Sequence, residues 1–191
     1  MPSWAGRMAA TRKAVDNHSE GHAAKVELRR LVLDQIGAER CHVLDLFAGQ
    51  GTMYRAVWRE AASYAGCDER WFSDERLAFV ADNRRLLRCL DLAPFTVFDL
   101  DAYGSPWEQA TIIAARRRMA PGQHIGLIWT DGASMRAKLG RIEGAMAQLA
   151  GVAANIQGGH RHWDQATRRA VEEMAGRMGG RVTDMWISQR K

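Results

Sequence analysis

The chain has 191 residues, 47% of them hydrophobic and 26% charged, which suits one globular domain and excludes a disordered tail, a collagen-like chain or a coiled coil. No run approaches the roughly 20 apolar residues that cross a bilayer, and the opening stretch MPSWAGRMAATRKAVD lacks the apolar middle of a signal peptide, so a cytoplasmic protein is expected. Lys and Arg exceed Asp and Glu by 27 − 22 = 5, a balance that leans towards a polyanionic partner without naming one.

Residues 1–16 carry no periodic apolar pattern and are expected to form a flexible arm, leaving 17–191 as a single domain. Ser19 is placed to cap a helix over 20–36, with Val26, Leu28, Leu31, Val32 and Ile36 as its apolar stripe and Gly37 as its stop. Beyond it, short apolar runs alternate with longer amphipathic stretches. The runs predict strands at His42–Phe47, Ser63–Asp68, Leu77–Asp82, Phe95–Asp101, His124–Thr130 and Val182–Ser188. Helices are expected over much of 52–62, 84–91, 106–119 and 164–178. Such alternation is the signature of βα units, so the fold class is α/β with a doubly wound, mostly parallel sheet. Residues 133–163 fit it badly: they are long for a βα connection, partly helical over Arg136–Leu149, and end in the loop-like run Gln157–His162. They are read as a cap over the site.

The segment Val43-Leu44-Asp45-Leu46-Phe47-Ala48-Gly49-Gln50-Gly51-Thr52 is a buried strand interrupted by one carboxylate and followed by a Gly-x-Gly turn. Glycine permits close backbone approach to a ligand there. A dinucleotide loop asks for a third glycine where Tyr54 stands, and a phosphate loop asks for Lys-Ser or Lys-Thr after the second glycine; neither is met. Asp45 points instead to a ligand with a cationic part. Asp68 ends the next strand, where a carboxylate accepts both hydroxyls of a ribose, and Asp82 is placed to accept an adenine amine. A cation, a ribose and an adenine in that order describe S-adenosylmethionine. The competing reading is that these carboxylates only cap helices at βα turns.

Over residues 40–131 the chain resembles the class I S-adenosylmethionine-dependent methyltransferases, whose first motif is matched by LDLFAGQG and whose later acidic positions match Asp68 and Asp82. The resemblance implies a Rossmann-like methyltransferase fold of six or seven strands. It also implies a cofactor site at Asp45, Phe47, Ala48, Gly49, Gln50, Gly51, Asp68, Glu69, Asp82, Asn83 and Asp99, with S-adenosylhomocysteine as product.

After the fourth predicted strand, Asp99-Leu100-Asp101-Ala102-Tyr103-Gly104-Ser105-Pro106-Trp107 resembles the Asp-Leu-Asp-Pro-Phe-Gly-Ser-Pro signature of the tRNA guanine-N2 dimethyltransferases, with Ala102 in place of the first proline. Thr130-Asp131 and, less fully, His162-Trp163-Asp164 are similar to that family too. What is matched is its catalytic core; no counterpart of its large carboxyl-terminal substrate domain is expected. The likeness implies catalytic roles for Asp101, which would accept hydrogen bonds from an acceptor amine, and Tyr103, which would stack on a planar acceptor. Asp99 would help anchor the methionine end of the cofactor, and Gly104, Ser105, Pro106 and Trp107 would border the acceptor. The acceptor implied is an exocyclic amine of a nucleobase in RNA or DNA. A methyltransferase of small molecules or proteins, and a cofactor-binding subunit without turnover, remain the alternatives.

Other residues carry two readings each. Arg116, Arg117 and Arg118 close a predicted helix, as a solvated end or as a phosphate clamp. His160 and His162 lack a third ligand for zinc, and no metal site is expected. Cys41, Cys67 and Cys89 lack metal-ligand spacing and read as reduced packing residues. Trp58, Trp129 and Trp186 read as core, Trp107 and Trp163 as the border of the acceptor pocket.

Overall fold

A computed structural model describes residues 19–70, 75–131, 141–154 and 159–187. Five strands form one all-parallel sheet: β1 (His42–Asp45), β2 (Ser63–Asp68), β3 (Ala78–Val80), β4 (Val97–Asp101) and β5 (Gly126–Thr130), in the spatial order β3-β2-β1-β4-β5. The six helices among the described residues are α1 (Ser19–Ile36), α2 (Thr52–Ala56), α3 (Asn83–Cys89), α4 (Trp107–Arg116), α5 (Gly144–Ala150) and α6 (Gly159–Arg177). This is an α/β architecture compatible with a Rossmann-like fold.

A parallel sheet is buried on both faces, and alternation along each strand decides which side chains meet which helices. Val43, Val97 and Ile128 share one face with Val32, Leu33 and Ile36 of α1 and Met53 of α2. Leu44, Ala65, Cys67, Phe98 and Leu100 share the other with Leu87 of α3 and Ile113 of α4. Period two then puts Asp45, Asp99 and Asp101 on the first face, under α1. A further cluster packs Met146 and Leu149 of α5 and Ala170 and Met174 of α6 against Trp107 and Ala110 of α4. At Gly126 the helix crosses so closely that a Cβ would stand 2.5 Å from Val32 Cγ1. That contact requires glycine.

Six or seven strands were implied, and the described residues hold five. The expected strand at Val182–Ser188 does not form over residues 181–187, and Ser188 lies outside the described residues. Val182 and Met185, three apart, turn onto the helical cluster instead of alternating, while Trp186 and Ile187 are exposed; Trp186 is therefore not core. The helix expected over 52–62 breaks at Val57 (φ −141°, ψ −57°) and resumes as a 3-10 turn at Trp58–Glu60, which turns Trp58 inward. The expected 1–16 arm lies outside the described residues, as do 133–140 and 155–158 of the expected cap. Of the described parts of that cap, Ile142 and α5 pack against α4 and α6. His160 and His162 sit in the first turns of α6 rather than in a loop. Cys41 and Cys67 are buried, with burial raising their thiols to about 11 and about 12; Cys89 is exposed, so it is not a packing residue. No helix of the described residues is long and apolar enough to cross a membrane.

Candidate functional site

The chain runs outward from β1 to β2 and β3 on one side and returns to β4 and β5 on the other, so the strand order reverses between β1 and β4. In open α/β sheets the crevice beyond the carboxyl ends at such a switch point receives ligands. Asp45 and Asp99 face one another there in register.

Two carboxylates inside a buried sheet face need compensation, and α1 supplies it. Arg29 is the one cation within the buried stripe of that helix, 1% exposed. It donates from Nε to Asp99 Oδ2 at 2.7 Å and from Nη2 to Asp99 Oδ1 at 2.6 Å. The Trp58 indole adds a third bond to Oδ2 at 2.7 Å. Burial works against the Arg29 charge, but Asp99, Asp101 and Asp45 more than offset it. Asp99 is wholly inaccessible. Its oxygens are spent on these partners, so it underlies the crevice rather than anchoring the methionine end of a cofactor.

One turn earlier on α1, Lys25 Nζ lies 2.7 Å from Asp101 Oδ1, and Arg29 Nη2 lies 3.4 Å from Asp101 Oδ2. Asp101 thus stands at the mouth of the crevice as an ion-paired carboxylate, 16% exposed. Asp45 differs. Its Oδ1 accepts the Phe47 N–H at 3.1 Å and its Oδ2 the Tyr64 hydroxyl at 2.9 Å, and no Lys or Arg side chain of the described residues bonds to it. Burial, with Asp99 alongside, raises its carboxyl to about 7. Burial and Asp45 together hold the Tyr64 phenol in its protonated form.

The glycine loop wraps this carboxylate. Gly49 (φ 44°) and Gly51 (φ 76°) take left-handed conformations that a side chain would strain. Four of its amides are bonded within the protein: Phe47 N–H goes to Asp45, Ala48 N–H to the Cys67 carbonyl at 3.0 Å, Gly49 N–H to Asp68 Oδ2 at 2.9 Å and Gly51 N–H to the Ala48 carbonyl at 2.9 Å. A phosphate cradle needs such N–H groups free. Here half-buried Asp68 and Asp101 at the rim, above the buried Asp45, supply carboxylates, a sign that suits a cation and hydroxyls. Asp68 Oδ1 accepts the Arg70 N–H at 3.0 Å, and each of its oxygens has a second lone pair for a diol. Glu69 is exposed beside it, Ala48 is buried, and Gln50 is exposed at the loop tip, where its carbonyl accepts from Arg55 at 2.7 Å.

Other expected residues take structural parts. Asp82 is the N-cap of α3, accepting from the N–H groups of Arg84 and Arg85 and from the Arg84 guanidinium at 2.7 Å. Those bonds hold its carboxyl well below the ordinary carboxylate range; for Asp82 the capping reading describes what is seen. Asn83 donates to the Leu46 carbonyl at 2.9 Å and accepts from Gln109 at 2.9 Å, tying α3 and α4 to the end of β1. Tyr103 is 79% exposed at the rim. Gly104 is exposed, Ser105 half-buried, and Pro106 buried at the start of α4. Trp107 is core, 1% exposed, its indole donating to Asp131 Oδ2 at 2.8 Å and its ring tilted against Trp129 at 5.4 Å. It does not wall a pocket. Nor do the three arginines stand free: Arg116 donates to the Leu87 and Leu90 carbonyls, buried Arg117 to the Phe95 carbonyl at 3.2 Å, and Arg118 to the Ala114 carbonyl at 3.2 Å. They stitch the end of α4 to the connection before β4 and to its own last turn.

Sequence reasoning missed Arg29, Lys25 and Tyr64 as members of the site, and Arg76, whose guanidinium donates to the Ala48 and Gly49 carbonyls of the glycine loop. Arg29 had a signal, since Val26, Val32 and Leu33 flank it at −3, +3 and +4, making it a cation inside an apolar stripe. Arg76 had none.

No group of three or more His, Cys, Asp or Glu among the described residues is placed to hold a metal. No protein-family model matches the chain, and no curated protein sequence matches it.

Proposed function

We propose that the chain is an S-adenosylmethionine-dependent methyltransferase whose acceptor is an exocyclic amine of a nucleobase in RNA or DNA. The observation that carries the reading is the donor-poor, carboxylate-rich rim at the switch point. Asp45 and Asp68 flank a left-handed glycine loop whose Phe47, Ala48, Gly49 and Gly51 N–H groups are already bonded. Such a rim repels a diphosphate and favours a nucleoside bearing a positive charge.

S-adenosylmethionine brings an electrophilic methyl group on a sulfonium. The chain's part is to bind, orient and accept a proton. Asp45 offers its buried carboxylate to the cationic methionine portion and Asp68 its free lone pairs to the ribose hydroxyls. Asp101, at the neighbouring strand end, accepts hydrogen bonds from the acceptor amine, aligns its lone pair and stabilises the charge that develops on nitrogen. It then takes the departing proton. Tyr103, exposed beside it, is placed to stack on a planar base. The incoming amine replaces Lys25 Nζ on Asp101, and the displaced ammonium is a ready partner for a backbone phosphate.

The same Lys25–Asp101 contact favours a second reading, a cofactor-binding subunit without turnover, because the carboxylate that would receive the acceptor is already paired. One experiment separates them. Purified protein is incubated with methyl-labelled S-adenosylmethionine and RNA, DNA, protein and metabolite pools, and repeated with Asp101→Asn. Label in RNA or DNA that falls at least about a hundredfold in the variant supports the nucleobase reading. Label in protein or metabolites moves the acceptor class. Cofactor binding without label in any pool favours the subunit, and equal transfer by the variant removes the role given to Asp101.

A further inference from the structure

We infer that Arg76, two residues before β3, is the positioning residue that keeps the glycine loop in its ligand-receiving shape. The residue is 9% exposed, and its guanidinium donates from Nη1 to the Ala48 carbonyl at 3.1 Å and from Nη2 to the Gly49 carbonyl at 2.8 Å. It also faces the Tyr64 phenol, which is bonded to Asp45. A Cβ on Gly51 would stand 2.7 Å from Arg76 Cζ, so the second glycine of the motif is required by this guanidinium as well as by its own φ.

The consequence follows from one peptide plane. The Ala48 carbonyl and the Gly49 N–H belong to the same rigid unit. Arg76 holds it by the oxygen and Asp68 by the nitrogen, 2.9 Å away. A glycine peptide in a left-handed turn rotates at little steric cost, so with Arg76 removed only the Gly51 N–H on the Ala48 carbonyl and Asp68 on the Gly49 N–H would oppose its swing. Rotation would free Asp68 from the loop and aim a carbonyl at the space the nucleoside takes. Arg76 therefore sets the direction of Asp68 and of the loop without touching the ligand.

The inference rests on the cofactor reading, and its test separates the two. S-adenosylhomocysteine is titrated calorimetrically into wild type, Arg76→Ala and Arg76→Lys, with thermal unfolding of each recorded and the titration run well below the lowest midpoint. Arg76→Ala is expected to weaken binding by about tenfold or more, since a hydrogen bond from a charged group is worth at least that factor. Arg76→Lys, able to reach one carbonyl, is expected to recover part of the loss. A lowered midpoint with unchanged affinity in both variants overturns the inference, because a scaffold residue would do that. If Arg76→Ala does not fold, Arg76→Lys alone decides on the same criterion.

Should wild type bind no S-adenosylhomocysteine, the cofactor reading falls, and the brace is judged by stability alone. Gly51→Ala is then made in wild type and in Arg76→Ala. A smaller midpoint loss in the Arg76→Ala background supports the brace, and an equal loss in both refutes it.

Discussion

Replacing Arg29 by methionine keeps the length of the side chain and removes the charge that compensates Asp99. That carboxylate would keep only the Trp58 indole while remaining fully buried and facing Asp45. Breaking a buried ion pair from one side costs about 3–5 kcal/mol, a large share of the roughly 5–15 kcal/mol that holds a domain folded. The variant is expected to lose that amount in urea unfolding at pH 7. Adding Asp99→Leu to Arg29→Met should recover much of the loss, leaving mainly the unpaired Trp58 indole at about 1–3 kcal/mol. A single-variant loss below about 1 kcal/mol, or a double variant whose loss equals the sum of the two singles, would refute the account of this cluster.

Asp45 gives a pH-dependent prediction. With its carboxyl raised to about 7 by burial and Asp99, the folded state holds a proton that the unfolded chain has released, so the group's contribution is full below about pH 4 and is lost as pH rises through about 7. Asp45→Asn should flatten the stability profile across that window. If a cationic cofactor sits against Asp45, its binding expels this proton: affinity for S-adenosylmethionine should rise with pH through about 7, and calorimetry in buffers of different ionisation enthalpy should register proton release. Gly126→Ala should cost about 1–3 kcal/mol through overpacking against Val32, and Val32→Ala should relieve part of it, as read in chemical unfolding. Arg117→Met should lower stability by about 1–3 kcal/mol, through the Phe95 carbonyl it leaves unbonded, without altering the salt dependence of nucleic-acid binding in a fluorescence titration; a changed slope would restore the phosphate clamp.

Local patterns carried the order of βα units, because apolar runs bounded by turns were enough to place all five strands. The β2 limits, Ser63–Asp68, agree with the expected ones residue for residue. β1 stops at Asp45 rather than Phe47 because the Asp45 side chain takes the Phe47 N–H and turns the chain. The false sixth strand arose where Val182, Met185, Trp186 and Ile187 supply apolar character without a period of two. For the site, residue types at strand ends were legible and their employment was not. Asp82 precedes Asn83-Arg84-Arg85 at a helix start, a capping signal visible in the sequence, yet the partners that occupy Asp99 lie 70 and 41 residues away. Nothing local separates a carboxylate locked under a helix from one open to a ligand.

The distance between Arg29 and Asp99 also bears on synthesis. At about 5–20 residues per second on the ribosome, several seconds pass between the appearance of α1 and that of the strand that neutralises its guanidinium. During that interval Val32, Leu33 and Ile36 have no finished sheet to cover them. α1 is thus secured only once β4 has been made, and a nascent chain halted short of β4 would present it to chaperones as an unfinished surface.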